Sequence, residues 1–213
     1  MQQLTLDKIK RILCVGAHSD DIEIGCGATL LKLIDDYPDI HIKWVVFSAE
    51  GDRAQEARDS AAAFLQGAKN AEVVVKDFRG SFFPVELEQI KEFFGTLKAF
   101  QPDLVLTHYR DDRHQDHRVL SDLAWNTFRN HIVLEYEIPK FDGDLGIPNV
   151  FVPVTQELCK KKSDLLLTHF ATQAGRHWFT EELFLAVPRI RGMECASPTL
   201  YAEAFYGRKI VIG

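Results

Sequence analysis

Two short clusters hold the residues best suited to chemistry. The first, His18-Ser19-Asp20-Asp21, follows the apolar run 11–17; the second, His114-Gln115-Asp116-His117, follows the run 103–108 by a few residues. Ionisable groups beside a core strand are costly to desolvate unless something pairs with them, and a bound cation is the simplest partner. His18 and a carboxylate of the first cluster offer ligands from one turn. His114 and His117 lie three residues apart and share a side if that turn is helical. Two imidazoles and a carboxylate, with one position left for water, suit a catalytic Zn2+. Fe2+ or another divalent ion would take the same set, so the pattern does not choose the metal. Spacing also leaves open which of Asp20 and Asp21 is the ligand, and whether the distant ligand is His114 or His117. The groups left over are useful in their own right. A carboxylate beside the ion can take a proton from water, and an imidazole can hold an oxyanion or protonate a leaving amine. Such a set is equipped for metal-assisted hydrolysis of an amide.

The elements around the clusters must bring them together. Strands are predicted at 11–17, 41–48, 71–75 and 103–108, from short apolar, β-branched runs. Helices are predicted at 22–34, 53–65, 86–99 and 117–129, with Gly25 and Gly27 permitting close packing near the start of the first. Beyond residue 130, 132–138 alternates like a strand, 140–148 is a Gly/Pro/Asp loop, 150–154 is a short strand and 155–168 a helix. The stretch 178–190 is ambiguous, and 209–212 reads as a last edge strand. The alternation implies an α/β fold: a Rossmann-like, mostly parallel sheet with helices on both faces, as one domain over 1–213. In the common strand order 3-2-1-4-5, the first and fourth strands flank the point where strand order reverses, and ligands bind there beyond the carboxyl ends. Topology alone therefore places the metal site at the ends of strands 1 and 4.

Composition narrows the rest. A chain of 213 residues with 46% hydrophobic and 26% charged residues is ordinary for a globular protein. A formal charge of −6 argues against nucleic acid or an anionic membrane as the main partner. Cys14, Cys26, Cys159 and Cys195 show neither metal-type nor disulfide spacing, which suggests a reducing compartment, and Cys14 reads as a small buried hydrophobe. The first ten residues lack an apolar leader and no stretch approaches a membrane span, so a cytoplasmic location is expected.

The run Ala17-His18-Ser19-Asp20-Asp21-Ile22-Glu23-Ile24-Gly25-Cys26-Gly27 resembles the AHPDDE-type signature of the PIG-L (LmbE-like) de-N-acetylases, and His114-Gln115-Asp116-His117 resembles their HPDH motif. Arg53 with Glu56, the segment His169-Phe170-Ala171-Thr172-Gln173 and the closing Tyr201-Ala202-Glu203-Ala204-Phe205 follow in the family's order. The resemblance implies a Rossmann-like fold and a metal-dependent hydrolase, zinc or another divalent ion, that removes an acetyl group from an N-acetylglucosamine-like amino sugar or its conjugate. Carried over by motif, it makes His18, Asp21 and His117 metal ligands and Asp20 the general base. His114 would stabilise the tetrahedral intermediate, Asp116 would orient a ligand, and Arg53 would bind sugar hydroxyls or an anionic group. Ser19 and Gln115 stand where the family has proline, and Thr172 where it has serine; none of these removes a ligand. A small sugar-conjugate substrate is implied, and a homo-oligomer is compatible with it.

Blander accounts compete with these. His18 to Asp21 could be a solvated helix N-cap, and Arg53 with Glu56 an exposed helix pair. His169 reads as a helix-end histidine, and His41, His108, His131 and His177 as structural. Gly25-Cys26-Gly27 falls short of a dinucleotide loop, because Leu30 stands at the third glycine. The rival functions are an amidase on a different bond of a sugar conjugate, and a metal- or nucleotide-binding protein without turnover.

Overall fold

Alternate residues of the first strand face opposite ways, and both faces are covered. Ile12 and Cys14 pack into one core with side chains of four helices, and Leu13 and Val15 into a second core on the other face. The computed structural model describes residues 9–211. Its first half runs β1 (Arg11–Gly16), α1 (Asp21–Asp36), β2 (His41–Val46), α2 (Asp52–Phe64), β3 (Asn70–Val75), α3 (Leu87–Thr96), β4 (Leu104–His108), α4 (Gln115–Thr127) and β5 (Ile132–Tyr136). There follow β6 (Val150–Val154), α5 (Gln156–His169), α6 (Glu181–Glu194) and β7 (Tyr201–Gly207). The described strands form a seven-stranded sheet in the order β3-β2-β1-β4-β5-β7-β6. Its first five strands are parallel, while β7 runs antiparallel to both β5 and β6. Helices α3 and α4 cover one face through Ile90, Phe94, Leu120 and Leu123. Helices α1, α2, α5 and α6 cover the other, through Leu30, Phe64, Leu166 and Phe184. This is the α/β, mostly parallel arrangement expected from the sequence.

Three boundaries differ in ways that matter. Helix α4 begins at Gln115 rather than 117, because the His114 side chain accepts the Asp116 N–H at 3.2 Å and caps the helix. The ambiguous stretch becomes α6, capped by Thr180, whose hydroxyl accepts the Leu183 N–H at 3.3 Å. The last strand is Tyr201–Gly207, wedged between β5 and β6, and not 209–212. Ile210 and Val211 are exposed, so their β-branched character serves no sheet; Ile212 lies outside the described residues.

Helix α1 bends at Cys26, whose φ of −146° is not helical. The bend frees backbone groups that cannot stay unpaired in a core. Lys162 donates to the Ile24 carbonyl at 2.6 Å, and the Glu203 carboxylate accepts the N–H groups of Ala28 and Thr29 at 3.1 and 2.6 Å. Lys162 and Glu203 also pair with each other at 2.6 Å. The buried glutamate of Tyr201–Phe205 thus caps the second half of α1. A Cβ at Gly25 would come within 2.1 Å of the Tyr136 ring, and one at Gly27 within 2.7 Å of Phe64, which accounts for both glycines.

Candidate metal centre

The sheet opens where strand order reverses. The β1–β4 ladder ends at Cys14 opposite Leu106, whereas the β1–β2 ladder continues to Gly16 opposite Val46. The turn after β1 carries His18, Asp20 and Asp21 into this opening, and the start of α4 brings His114 and His117. The two clusters meet. His18 Nδ1 lies 3.3 Å from Asp21 Oδ2, His117 Nε2 lies 3.4 Å from the same oxygen, and the two imidazole nitrogens are 3.3 Å apart. Donors bound about 2.05 Å from one tetrahedral ion would be separated by about 3.3 Å.

Carboxylates behind the two histidines decide where their protons sit. His18 Nε2–H donates to Asp116 Oδ2 at 3.1 Å, and His117 Nδ1–H donates to Asp112 Oδ2 at 2.9 Å. The remaining ring nitrogens face inward, towards Asp21, where a bound ion would take their lone pairs in place of protons. Asp116 is itself held by the N–H groups of Ser81 at 2.5 Å and Phe83 at 3.2 Å. Ser81 adopts a left-handed φ of 67° in delivering that N–H, a strained conformation for a residue with a Cβ. Asp112 also accepts the His114 N–H at 2.7 Å and Lys140 Nζ at 2.8 Å.

Three electron-rich atoms facing one another in a buried crevice repel unless a positive charge sits among them. The electrostatics carry that signature. Burial opposes charging His18, yet Asp21 and Asp116 outweigh it and raise the imidazole to about 10. His117 is raised in the same way, against burial, by Asp21 and Asp112. Burial would raise Asp21, but His117, His108 and His18 hold it well below the usual carboxylate range. The carboxylates around the crevice favour positive charge within it.

Other histidines come close. His18, His114 and His117 present ligand atoms within 4.8 Å of one another, as do Asp21, His108 and His117. Both alternatives spend a lone pair elsewhere. His114 Nδ1 accepts the Asp116 N–H, and His108 Nε2 accepts the Ala17 N–H at 2.9 Å. His18, Asp21 and His117 are left as the donors that could hold an ion together. His114 remains beside them, its ring 4.8 Å from that of His18 and 4.6 Å from that of His117. Burial and the two neighbouring imidazoles lower it to about 4, so it is neutral and its Nε2–H is a hydrogen-bond donor.

Asp20 is buried next to this group. Burial and Asp21 raise its carboxyl, opposed by Arg53 and His18. Arg53 donates from Nε and Nη2 to Ser19 Oγ at 2.9 and 2.6 Å, and from Nη2 to Asp20 Oδ1 at 3.3 Å. Ser19, which stands where the resemblance expects proline, thus anchors the arginine beside Asp20. Glu56 points elsewhere: its carboxylate accepts the N–H and hydroxyl of Thr172 at 2.8 and 2.6 Å. His169 ends α5, and His41 pairs with Glu72 at 3.2 Å.

The sequence reading missed three contributors. His108 was expected to be structural but lies in the centre, 3.4 Å from Asp21 and stacked on His117. Its place at the carboxyl end of β4 was a readable signal. Asp112 was visible only as part of a charged loop. Lys140 lies in a different loop, and nothing in its spacing connects it to the site.

Comparison with known proteins fits this geometry. Residues 13–128 match the model of the PIG-L family, described as GlcNAc-PI de-N-acetylase, and they include both clusters. The chain belongs to the PIG-L family. A relative in Escherichia coli K12, the uncharacterized deacetylase YaiS, is 29% identical over 76% of this chain and 92% of its own. Among solved structures, the N,N'-diacetylchitobiose deacetylase of Pyrococcus horikoshii, crystallised with its inhibitor MPG, aligns with a TM-score of 0.74 at 21% identity, covering 95% of this chain and 85% of that one. GalB of Pseudomonas putida KT2440, a 4-carboxy-2-hydroxymuconate hydratase, aligns with a TM-score of 0.74 at 18% identity, covering 96% and 98%. The fold therefore serves more than one reaction. The family match and the deacetylase relative make this PIG-L chain an amide-bond hydrolase of the deacetylase type. No helix among the described residues is long and apolar enough to cross a membrane.

Proposed function

We propose that this PIG-L chain is a zinc-type de-N-acetylase of an N-acetylated amino sugar or its conjugate, N-acetylglucosamine-like in the part that reacts, working as one domain over 1–213. The observation that carries this reading is the triangle of His18 Nδ1, Asp21 Oδ2 and His117 Nε2, with edges of 3.3 to 3.4 Å, and with the outer nitrogen of each imidazole engaged by a carboxylate. Two nitrogens and one oxygen suit Zn2+, and Fe2+ is the next candidate. When bound there, the cation supplies Lewis acidity towards the amide carbonyl and lowers the pKa of water.

The chain's own groups perform the remaining steps. Asp20 accepts the proton of the attacking water, with Arg53 beside it favouring the ionised carboxylate, and returns that proton to the amine nitrogen as the C–N bond breaks, leaving acetate and the free amine. His114, neutral and fixed by the Asp116 N–H, donates its Nε2–H to the oxyanion that forms at the acetyl carbonyl. Asp116 and Asp112 hold the two histidine ligands in the productive tautomers. Arg53 is half-exposed, which leaves it placed to meet a sugar hydroxyl or an anionic substituent as well as Asp20. The four free, buried cysteines accord with a reducing, cytoplasmic setting.

The test is release of acetate by zinc-loaded protein from a panel of N-acetylated amino sugars and their conjugates, with larger amides alongside. Acetate from the N-acetylglucosamine type is the expected outcome. Turnover confined to the larger amides would replace this reading with an amidase. A protein that holds zinc but hydrolyses nothing would remove the enzymatic reading.

A further inference from the structure

The end of β1 has a different kind of support on each side. Towards β2 it is backbone: the Phe47 N–H donates to the Gly16 carbonyl at 2.9 Å and the Ser48 N–H to the Ala17 carbonyl at 2.8 Å. Towards β4 the ladder has already stopped at Cys14, so the Val15 carbonyl and the Ala17 N–H face no strand. Buried backbone groups left without partners are costly. Two side chains, one from β4 and one from β5 beyond it, cross the gap. Tyr136 OH donates to the Val15 carbonyl at 2.7 Å, and His108 Nε2 accepts the Ala17 N–H at 2.9 Å. Both side chains are fully buried.

His108 touches the other half of the centre as well. Its ring lies flat on that of His117, with centroids 3.9 Å apart and planes 17° from parallel. One imidazole therefore contacts both the residue that leads into His18 and the ring of His117. Accepting from Ala17 puts the proton on Nδ1, which is buried with no partner among the described residues. A leucine or phenylalanine would fill the space without that cost, so packing alone does not account for a histidine here.

We infer that His108 is a positioning residue that sets the spacing between the His18–Asp21 turn and His117 without itself ligating the metal. This rests on the metal reading above, and its experiment separates the two. Zinc affinity is measured by chelator competition for the wild type, His108→Leu and His108→Gln, together with hydrogen exchange at the Ala17 amide in the metal-free proteins. His108→Leu removes the acceptor. It should bind zinc about tenfold to a hundredfold more weakly than the wild type and should exchange the Ala17 amide faster. His108→Gln, whose carbonyl oxygen can accept the Ala17 N–H, should recover part of the affinity and the protection. The cobalt(II) form of that variant should keep the wild-type visible spectrum, because the ligands are unchanged. Wild-type zinc affinity in a folded His108→Leu would overturn the inference. If that variant does not fold, His108→Gln decides: an altered cobalt spectrum would make His108 a ligand and likewise overturn it. A wild type that binds no zinc would instead defeat the metal reading, and Ala17 exchange would still show whether His108 holds the turn.

Discussion

Asp112 Oδ2 accepts the Nδ1–H of His117 at 2.9 Å and the ammonium of Lys140 at 2.8 Å. One oxygen thus serves two donors, and the tautomer of His117 depends on it. Lys140 also pairs with Asp144 at 2.6 Å, and Asp144 accepts the Arg113 N–H at 2.7 Å. The loop after β5 is in this way fastened to the loop that carries the second cluster.

Asp112→Asn should therefore weaken metal binding without unfolding the chain. A loss of about tenfold to a hundredfold in zinc affinity is expected for a group that orients a ligand. Chelator competition measures it, and an unchanged affinity would show that His117 keeps its orientation by other means.

The Lys162–Glu203 pair gives a stability prediction far from the chemistry. Both side chains are nearly inaccessible, at 3% exposure each. Lys162→Met strips Glu203 of its counter-charge and the Ile24 carbonyl of its donor. Breaking one side of such a buried pair costs about 3–5 kcal/mol. Urea denaturation should find that loss, and should find the double variant Lys162→Met/Glu203→Gln less destabilised than the sum of the two single ones. A near-neutral Lys162→Met would mean that the bend in α1 does not need the ammonium.

Glu23 sets a pH dependence. It is fully buried, accepts the Ser60 hydroxyl at 2.7 Å, and burial pushes its carboxyl well above the usual range. The folded chain thus keeps a proton that the unfolded chain releases above about pH 4.3. Its stabilising contribution is complete below that pH and is lost as pH rises towards the folded value. Glu23→Gln is neutral throughout and escapes the loss. Its melting temperature relative to wild type should rise from about pH 4 to about pH 8; a constant or falling difference would show that Glu23 is ionised in the fold.

How much of this was readable follows from how local each signal is. The parallel strands announced themselves through short apolar runs, and the two clusters through charge set directly after them. Their meeting followed from strand order, which βαβ crossovers constrain. The last strand was misread because Ile210, Val211 and Ile212 look more strand-like than Tyr201–Gly207, where small alanines alternate with a glutamate. That glutamate is buried because α1 bends at Cys26, and the bend has no signature of its own. Lys140 and Asp112 could not be paired from spacing, since their contact depends on the path of a long loop. Ser19 looked like a lost proline until Arg53 was seen to rest on it.

If Asp20 is the base beside an ion held by His18, Asp21 and His117, then removing its charge must stop turnover and spare the metal. The decisive measurement is the rate of acetate release from an N-acetylglucosamine conjugate by wild type and Asp20→Asn at equal, independently measured zinc content. A fall in kcat of about 10²- to 10⁴-fold with one zinc still bound per chain is the predicted result. A rate within about tenfold of wild type, at the same zinc content, would contradict it.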